Sequence, residues 1–262
     1  MITALWGPAG WRVLHGLADA FTVNDGEVSV LVRDGGRRRH ARLYDGDAAA
    51  GIDTGLSAGR GAEVTEFMHA LQRVLPCKYC RDSLHGFLQD LEPPHVALSV
   101  GRLDDWMYRL HNMVNEKLWR QQYTAAGVPD TLHDALVKTQ TVPLEIIRKR
   151  ARIAGHRVFS ILDIELLLGI IAQNCVTHQN RVDFGTFVAR FARLLAATKL
   201  ALYGVDTRLA GAAGHIAACP DAETVLHLIQ TITSPDVVCD YPVTKARFDE
   251  ARASACKAGV CK

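Results

Sequence analysis

The sequence predicts an all-α protein: two helical regions, with one small hairpin-like insertion in the first. Three observations carry that prediction. Apolar residues recur at helical spacing from the start, as Val13, Leu14, Leu17, Ala18 and Phe21. Strict alternation occurs only at Val28, Val30 and Val32, followed by the turn signal Asp34-Gly35-Gly36 and the run Arg37-Arg38-Arg39. Beyond Gly127-Val128-Pro129 the chain becomes uniformly rich in Ala, Leu and Ile.

Taken in order, a first helix runs from Trp6 to Phe21, with Gly7 and Pro8 punctuating its start. A hairpin and a Gly/Ala/Asp loop follow up to Gly61. A helix over 63–75 ends at Pro76, and another runs from about Cys77 to Leu91 until Pro93-Pro94 stops it. Asp104 is read as the cap of a helix carrying Trp106, Leu110, Met113, Val114 and Leu118 on one side. Helices are then expected near 131–139, 143–153, 161–176, 183–202 and 221–233. The change of texture divides the chain into 1–125 and a C-terminal all-α region, 126–262.

With 48% hydrophobic and 22% charged residues, a disordered chain or a collagen is excluded. The 30 basic and 28 acidic side chains leave a net charge of only +2, so no global field draws the protein to nucleic acid or to a membrane. The N-terminus predicts no cleavable leader, and the most apolar stretch, Ile161 to Ala172, is too short to span a bilayer and is broken by Asp163 and Glu165. A cytoplasmic location is expected.

The seven cysteines stand at 77, 80, 175, 219, 239, 256 and 261. Cys77-Lys78-Tyr79-Cys80 is a C-x-x-C at a helix start, which places two sulfurs within disulfide reach while the helix N-terminus favours a thiolate. Alone it supports redox work or half of a zinc site. The zinc alternative, a non-enzymatic helical interaction protein, needs His69 and His85 to complete a tetrahedron, because no second C-x-x-C exists. Trp11 and His15 lie four residues apart, as do His111 and Asn115, so each pair projects from one helix face.

Three blocks occur in order: Trp6-Gly7-Pro8-Ala9-Gly10-Trp11-Arg12-Val13-Leu14-His15, then Pro76-Cys77-Lys78-Tyr79-Cys80, then His111-Asn112-Met113-Val114-Asn115-Glu116-Lys117-Leu118. Together, over roughly residues 5–123, they resemble the Erv/ALR family of FAD-linked sulfhydryl oxidases. The resemblance implies a four-helix bundle binding FAD, usually as a homodimer, that oxidises reduced protein thiols and passes the electrons to dioxygen, yielding hydrogen peroxide. It assigns Cys77 to exchange with substrate and Cys80 to the flavin, and Trp6, Trp11, His15, His111, Asn112 and Asn115 to the cofactor pocket. Lys117 and Arg120, later on the same helix, are candidates for the FAD pyrophosphate. No metal is expected. The Trp6-Gly7-Pro8 opening and the added helical region look most like the family members of large DNA viruses, which would place the protein in host cytoplasm or virion.

Two departures stand out. Many members have a cysteine, part of a structural disulfide, where this chain has Tyr108, and the segment from His15 to Cys77 is long. At the other end, Cys256-Lys257-Ala258-Gly259-Val260-Cys261 is similar to the distal shuttle pair that members carry on a mobile tail. Cys175, in an apolar helix, is read as an inert core thiol, and Cys219 and Cys239 as a pair that could join.

Overall fold

The computed structural model describes residues 3–21, 28–34, 37–43, 54–146, 159, 161–198 and 204–233. Helix α1 (Thr3–Phe21) buries the periodic residues Val13, Leu14, Leu17 and Phe21. Pro8 lies inside the helix rather than ahead of it. Strands β1 (Val28–Asp34) and β2 (Arg37–Leu43) pair antiparallel from Val28↔Leu43 to Asp34↔Arg37, leaving Gly35 and Gly36 between them in the chain. Among the described residues these are the only strands, and every other element is helical.

Helix α2 (Thr54–Val74) begins well before the expected residue 63, and Pro76 precedes α3 (Lys78–Asp90), whose N-cap is Cys77. Pro93-Pro94 does end the pattern of α3, yet Pro94 also opens a short helix, α4 (Pro94–Ser99), that the sequence did not predict. Proline is tolerated in a first turn because its missing N–H has no intrahelical acceptor there. Close approach of α4 to α2 depends on Gly61: a Cβ there would lie 2.8 Å from the Cβ of His95.

Helix α5 (Leu103–Ala125) starts one residue before Asp104, so Asp104 is a buried first-turn residue and not the cap. Trp106 is fully buried on this helix and donates its indole N–H to the Glu92 carbonyl at 2.8 Å. The phenol of Tyr108 donates to the carbonyl of Val142 at 2.6 Å, tying α5 to the segment after α6 (Asp130–Gln140).

In the C-terminal region, α7 (Ile161–Ala172) lies within its expected span. Helix α8 (His178–Ala197) starts earlier than expected because Thr177 and Asn180 form a capping box, with the Asn180 amide N–H donating to Thr177 Oγ1 at 3.1 Å. Helix α9 (Val205–Ile216) was not predicted, and α10 (Ala222–Thr233) was. Of the helix expected near 143–153, residues 143–146 fall among the described residues, and 144–146 of these are helical.

These two regions share one apolar core. Phe67 of α2 stacks on Phe187 and Phe191 of α8 at ring separations of 5.3 and 5.9 Å, all three fully buried. Each such side chain removed from water contributes about 2–3 kcal/mol. Around the seam, Arg12 of α1 donates to Asp163 of α7 at 2.8 Å, and Arg190 and Arg193 of α8 pair with Glu63 of α2 at 3.2 and 3.0 Å. The C-terminal helices are thus packed directly on α1 and α2.

Candidate functional site

Cys77 sits in extended backbone at the N-cap of α3, and Cys80 lies one turn into the helix, where its N–H and that of Arg81 both donate to the Cys77 carbonyl at 3.0 Å. Both are free thiols and both are half-buried. They are not equivalent, because Cys80 packs against the hydrophobic core. Burial holds the Cys80 thiol well above the ordinary range, and its hydrogen bond with Cys77 and the charge there add to this. The Lys117 ammonium and Arg81 guanidinium pull the other way. The helix N-terminus that the sequence suggested as a thiolate stabiliser is therefore outweighed at Cys80 by desolvation.

Lys117 reaches from α5 to the hydroxyl of Ser83 on α3, which places its charge beside the C-x-x-C turn. Between these helices runs a groove of about 660 Å³ lined by Phe87, Met113, Glu116, Lys117, Arg120 and Thr124, among others. Arg120 is held there by Glu116, at 2.7 Å, and by Asp134 of α6.

The second cluster joins α1 to α5. Trp11 stacks on His111 with ring centroids 3.8 Å apart and planes within 10°, and His15 Nε2 lies 2.9 Å from His111 Nδ1. His15 is buried, while Trp11 and His111 are half-buried, so the rings form a flat-faced set at a helix crossing. Asn112 and Asn115 are half-buried on the same helix. Trp6 lies in the N-terminal part of α1.

The structure thus brings Trp11, His15 and His111 together, across 96 residues of chain in the case of the imidazole pair. It does not put Lys117 and Arg120 in that cluster. Arg120 comes nine residues after His111 and so emerges on the opposite side of a helix with 3.6 residues per turn. Both belong instead to the groove that faces α3.

The histidines required by the zinc alternative do not join the cysteines: His85 is hydrogen-bonded with Gln72 and Gln89, at 3.2 and 3.1 Å. Among the described residues, no group of three His, Cys, Asp or Glu side chains is arranged to hold a metal ion. No helix among them is long and apolar enough to cross a membrane.

Sequence reasoning missed a third feature. Cys175 follows α7 and Cys219 follows α9, and both are buried around Arg181, which donates to the carbonyls of Cys175 and Val176 at 3.2 and 3.1 Å. Burial pushes the Cys175 thiol up to about 12 and raises that of Cys219, with Arg181 opposing both shifts. Cys239, Cys256 and Cys261 lie outside the described residues.

Residues 48–133 match the family model described as the Erv1 / Alr family. No curated protein and no solved structure matches the chain. The matched span starts after the hairpin and includes the C-x-x-C and the His111 block. It leaves out α1, which the structure nonetheless returns to the site through the stacking of Trp11 on His111.

Proposed function

We propose, from the premise that residues 48–133 are an Erv1/Alr family domain, how this chain carries out the family's chemistry, the FAD-dependent oxidation of thiols to disulfides with dioxygen as acceptor. The observation that carries the assignment of roles is the asymmetry of the C-x-x-C pair: Cys77 at the helix N-cap, Cys80 against the core. In the oxidised pair a client thiolate attacks the Cys77 sulfur. The Cys77–Cys80 bond breaks, a client–Cys77 disulfide forms, and Cys80 leaves as a thiolate beside Lys117 and Arg81. A second client thiolate then displaces Cys77, so the client gains a disulfide and the pair holds two electrons.

FAD, when bound, supplies the two-electron acceptor from which dioxygen is reduced. A flavin dinucleotide asks for flat apolar faces for its rings and for cations near its diphosphate. The residues present fit those demands: Trp11, His15 and His111 offer ring faces and imidazole nitrogens, with Asn112, Asn115 and Trp6 near them in the chain, and Lys117 and Arg120 line an otherwise largely apolar groove. Cys80 is the sulfur assigned to hand electrons on, and Cys77 the one assigned to clients.

The same proposal includes a homodimer, a likeness to viral family members and a cytoplasmic setting, each supported by the sequence motifs alone. It also gives Cys256 and Cys261 a relay role for bulky clients, supported by their spacing around a glycine-containing segment. Residues 126–262 are assigned to a helical region that buttresses the oxidase helices, supported by the stacking of Phe187 and Phe191 on Phe67.

The deciding experiment is a visible absorbance spectrum of the purified chain with oxygen uptake on adding dithiothreitol. Bound flavin that bleaches under dithiothreitol in the absence of air, and oxygen consumption in its presence, are expected. A colourless protein that consumes no oxygen after reconstitution with FAD would refute the proposal.

A further inference from the structure

One crevice lies against the redox motif without being part of it. It has a volume of about 190 Å³, room for roughly six waters, and is therefore the size of a single long side chain. Arg73, Pro76 and Arg81 form one wall, and Asn174, Cys175 and Asn180 the other. The first wall comes from the end of α2 (Arg73), the connection after it (Pro76) and the first turn of α3 (Arg81); the second comes from the connection between α7 and α8 (Asn174, Cys175) and the start of α8 (Asn180). Neither region could make this crevice alone.

Its chemistry is one-sided. No carboxylate is among the lining residues, whereas two guanidinium groups are. Arg81 donates to the Leu75 carbonyl at 2.5 Å, which uses one of the five N–H donors of a guanidinium. Arg73 approaches Asp183 only at 3.8 Å, beyond ordinary hydrogen-bond length, and its side chain is 49% exposed. Asn174 donates to the Ile170 carbonyl through its amide nitrogen, so the charged donors of the crevice are the two guanidinium groups. Such a set favours an anion with planar geometry, because guanidinium and carboxylate match in two parallel hydrogen bonds.

Position supplies the partner. Pro76 lines the crevice and is bonded in the chain to Cys77, the sulfur assigned to clients. A client segment whose cysteine reaches Cys77 extends by about 3.3 Å per residue, so a side chain one or two residues away stays within about 7 Å along the chain, a reach suited to a crevice lined by the neighbouring Pro76. Tyr79, in the first turn of α3, and Val176, in the connection between α7 and α8, are 55% and 66% exposed and offer apolar surface to the backbone of an extended segment.

We propose that this crevice is a client subsite that takes a glutamate or aspartate side chain lying within two residues of the client cysteine. The subsite rests on the oxidase function proposed above and adds to it a substrate class: dithiol segments with an adjacent carboxylate. It also gives the C-terminal helical region a direct part in choosing clients, through the α7–α8 turn.

The test uses reduced two-cysteine peptides that differ only in having Glu, Gln or Lys two residues before or after the first cysteine, with dithiothreitol as a substrate too small to need the subsite. For the wild-type protein, kcat/KM is expected to be roughly five- to tenfold higher with Glu than with Lys at one of the two positions. Arg73→Gln should abolish that preference and Arg73→Lys retain part of it, both with unchanged dithiothreitol turnover and melting temperature. Equal kcat/KM for all peptides, with normal dithiothreitol oxidation, would overturn the subsite alone. A Glu preference surviving Arg73→Gln undiminished would overturn it as well. Failure to oxidise dithiothreitol would overturn the oxidase proposal and the subsite with it.

Discussion

Cys77 and Cys80 on one side, and Cys175 and Cys219 on the other, are two thiol pairs in similar electrostatic surroundings but in different relation to solvent. In each place burial raises a thiol and a nearby cation opposes it: Lys117 and Arg81 at Cys80, Arg181 at Cys175 and Cys219. Yet Cys77 is half-buried at a helix N-cap with exposed Tyr79 two residues on, whereas Cys175 and Cys219 are both buried. The contrast teaches that a thiol raised by burial, as at Cys80, Cys175 and Cys219, does not by itself mark a redox site. What distinguishes it is a partner sulfur one helical turn away and a route by which another molecule can reach the first sulfur.

The comparison breaks most visibly by substitution. Cys80→Ser should lower dithiothreitol-dependent oxygen uptake by roughly a thousandfold or more, because the disulfide cannot form, while Cys175→Ser should stay within about twofold of wild type. Comparable losses in both variants, at equal flavin content, would show that the buried thiols share the electron path.

A smaller effect sharpens the role of charge. Lys117 lowers the Cys80 thiol from the position burial gives it, so Lys117→Met should let it rise further. Less thiolate then forms at a given pH, and the pH profile of the reductive half-reaction should move to the alkaline side with a several-fold lower rate at neutral pH. An unmoved profile, measured at saturating FAD, would remove Lys117 from the chemistry.

The remaining effect is on stability and not on rate, and it is confined to high pH. The Cys175 thiol rises from 9.0 in its ordinary state to about 12 in the folded protein, so folding favours the neutral form. Its contribution is fully present below pH 9 and is lost between pH 9 and about 12, up to roughly 4 kcal/mol for three pH units. Cys175→Ala should therefore flatten the alkaline fall of the melting temperature in the reduced protein, even though it loses packing at neutral pH.

The parts of the site that lie within a few residues of one another were legible in the sequence. The C-x-x-C needs only one turn of helix, and the spacing of Trp11 with His15 and of His111 with Asn115 needs only helical periodicity. That these residues share a pocket was implied by the family resemblance, whereas the stacking of Trp11 on His111 was not legible in the sequence. Helix α9 escaped because its sequence, Val205-Asp206-Thr207-Arg208-Leu209-Ala210-Gly211-Ala212-Ala213-Gly214-His215-Ile216, has two glycines and few large apolar residues. It is held by packing instead, since a Cβ at Gly185 of α8 would lie 2.8 Å from the Ala213 carbonyl. Helix α4 escaped because Pro93-Pro94 reads equally as a stop and as a start. Lys117 and Arg120 were read from their place on the same helix as candidates for the pyrophosphate, and the turn of the helix puts both on the groove that faces α3. The arginine and asparagine walls of the crevice come from segments about a hundred residues apart, so no local pattern could reveal them.

The Tyr108 hydroxyl on the Val142 carbonyl has a consequence for where this protein can work. A hydrogen bond from a phenol to a peptide oxygen is no dithiol–disulfide couple, so thiol–disulfide exchange with glutathione neither makes the joint nor undoes it. An oxidase fastened here by sulfur would have its own scaffold among its possible substrates. This one fastens the end of α5 in a currency its catalysis does not trade, and heat, not reducing power, is what loosens it.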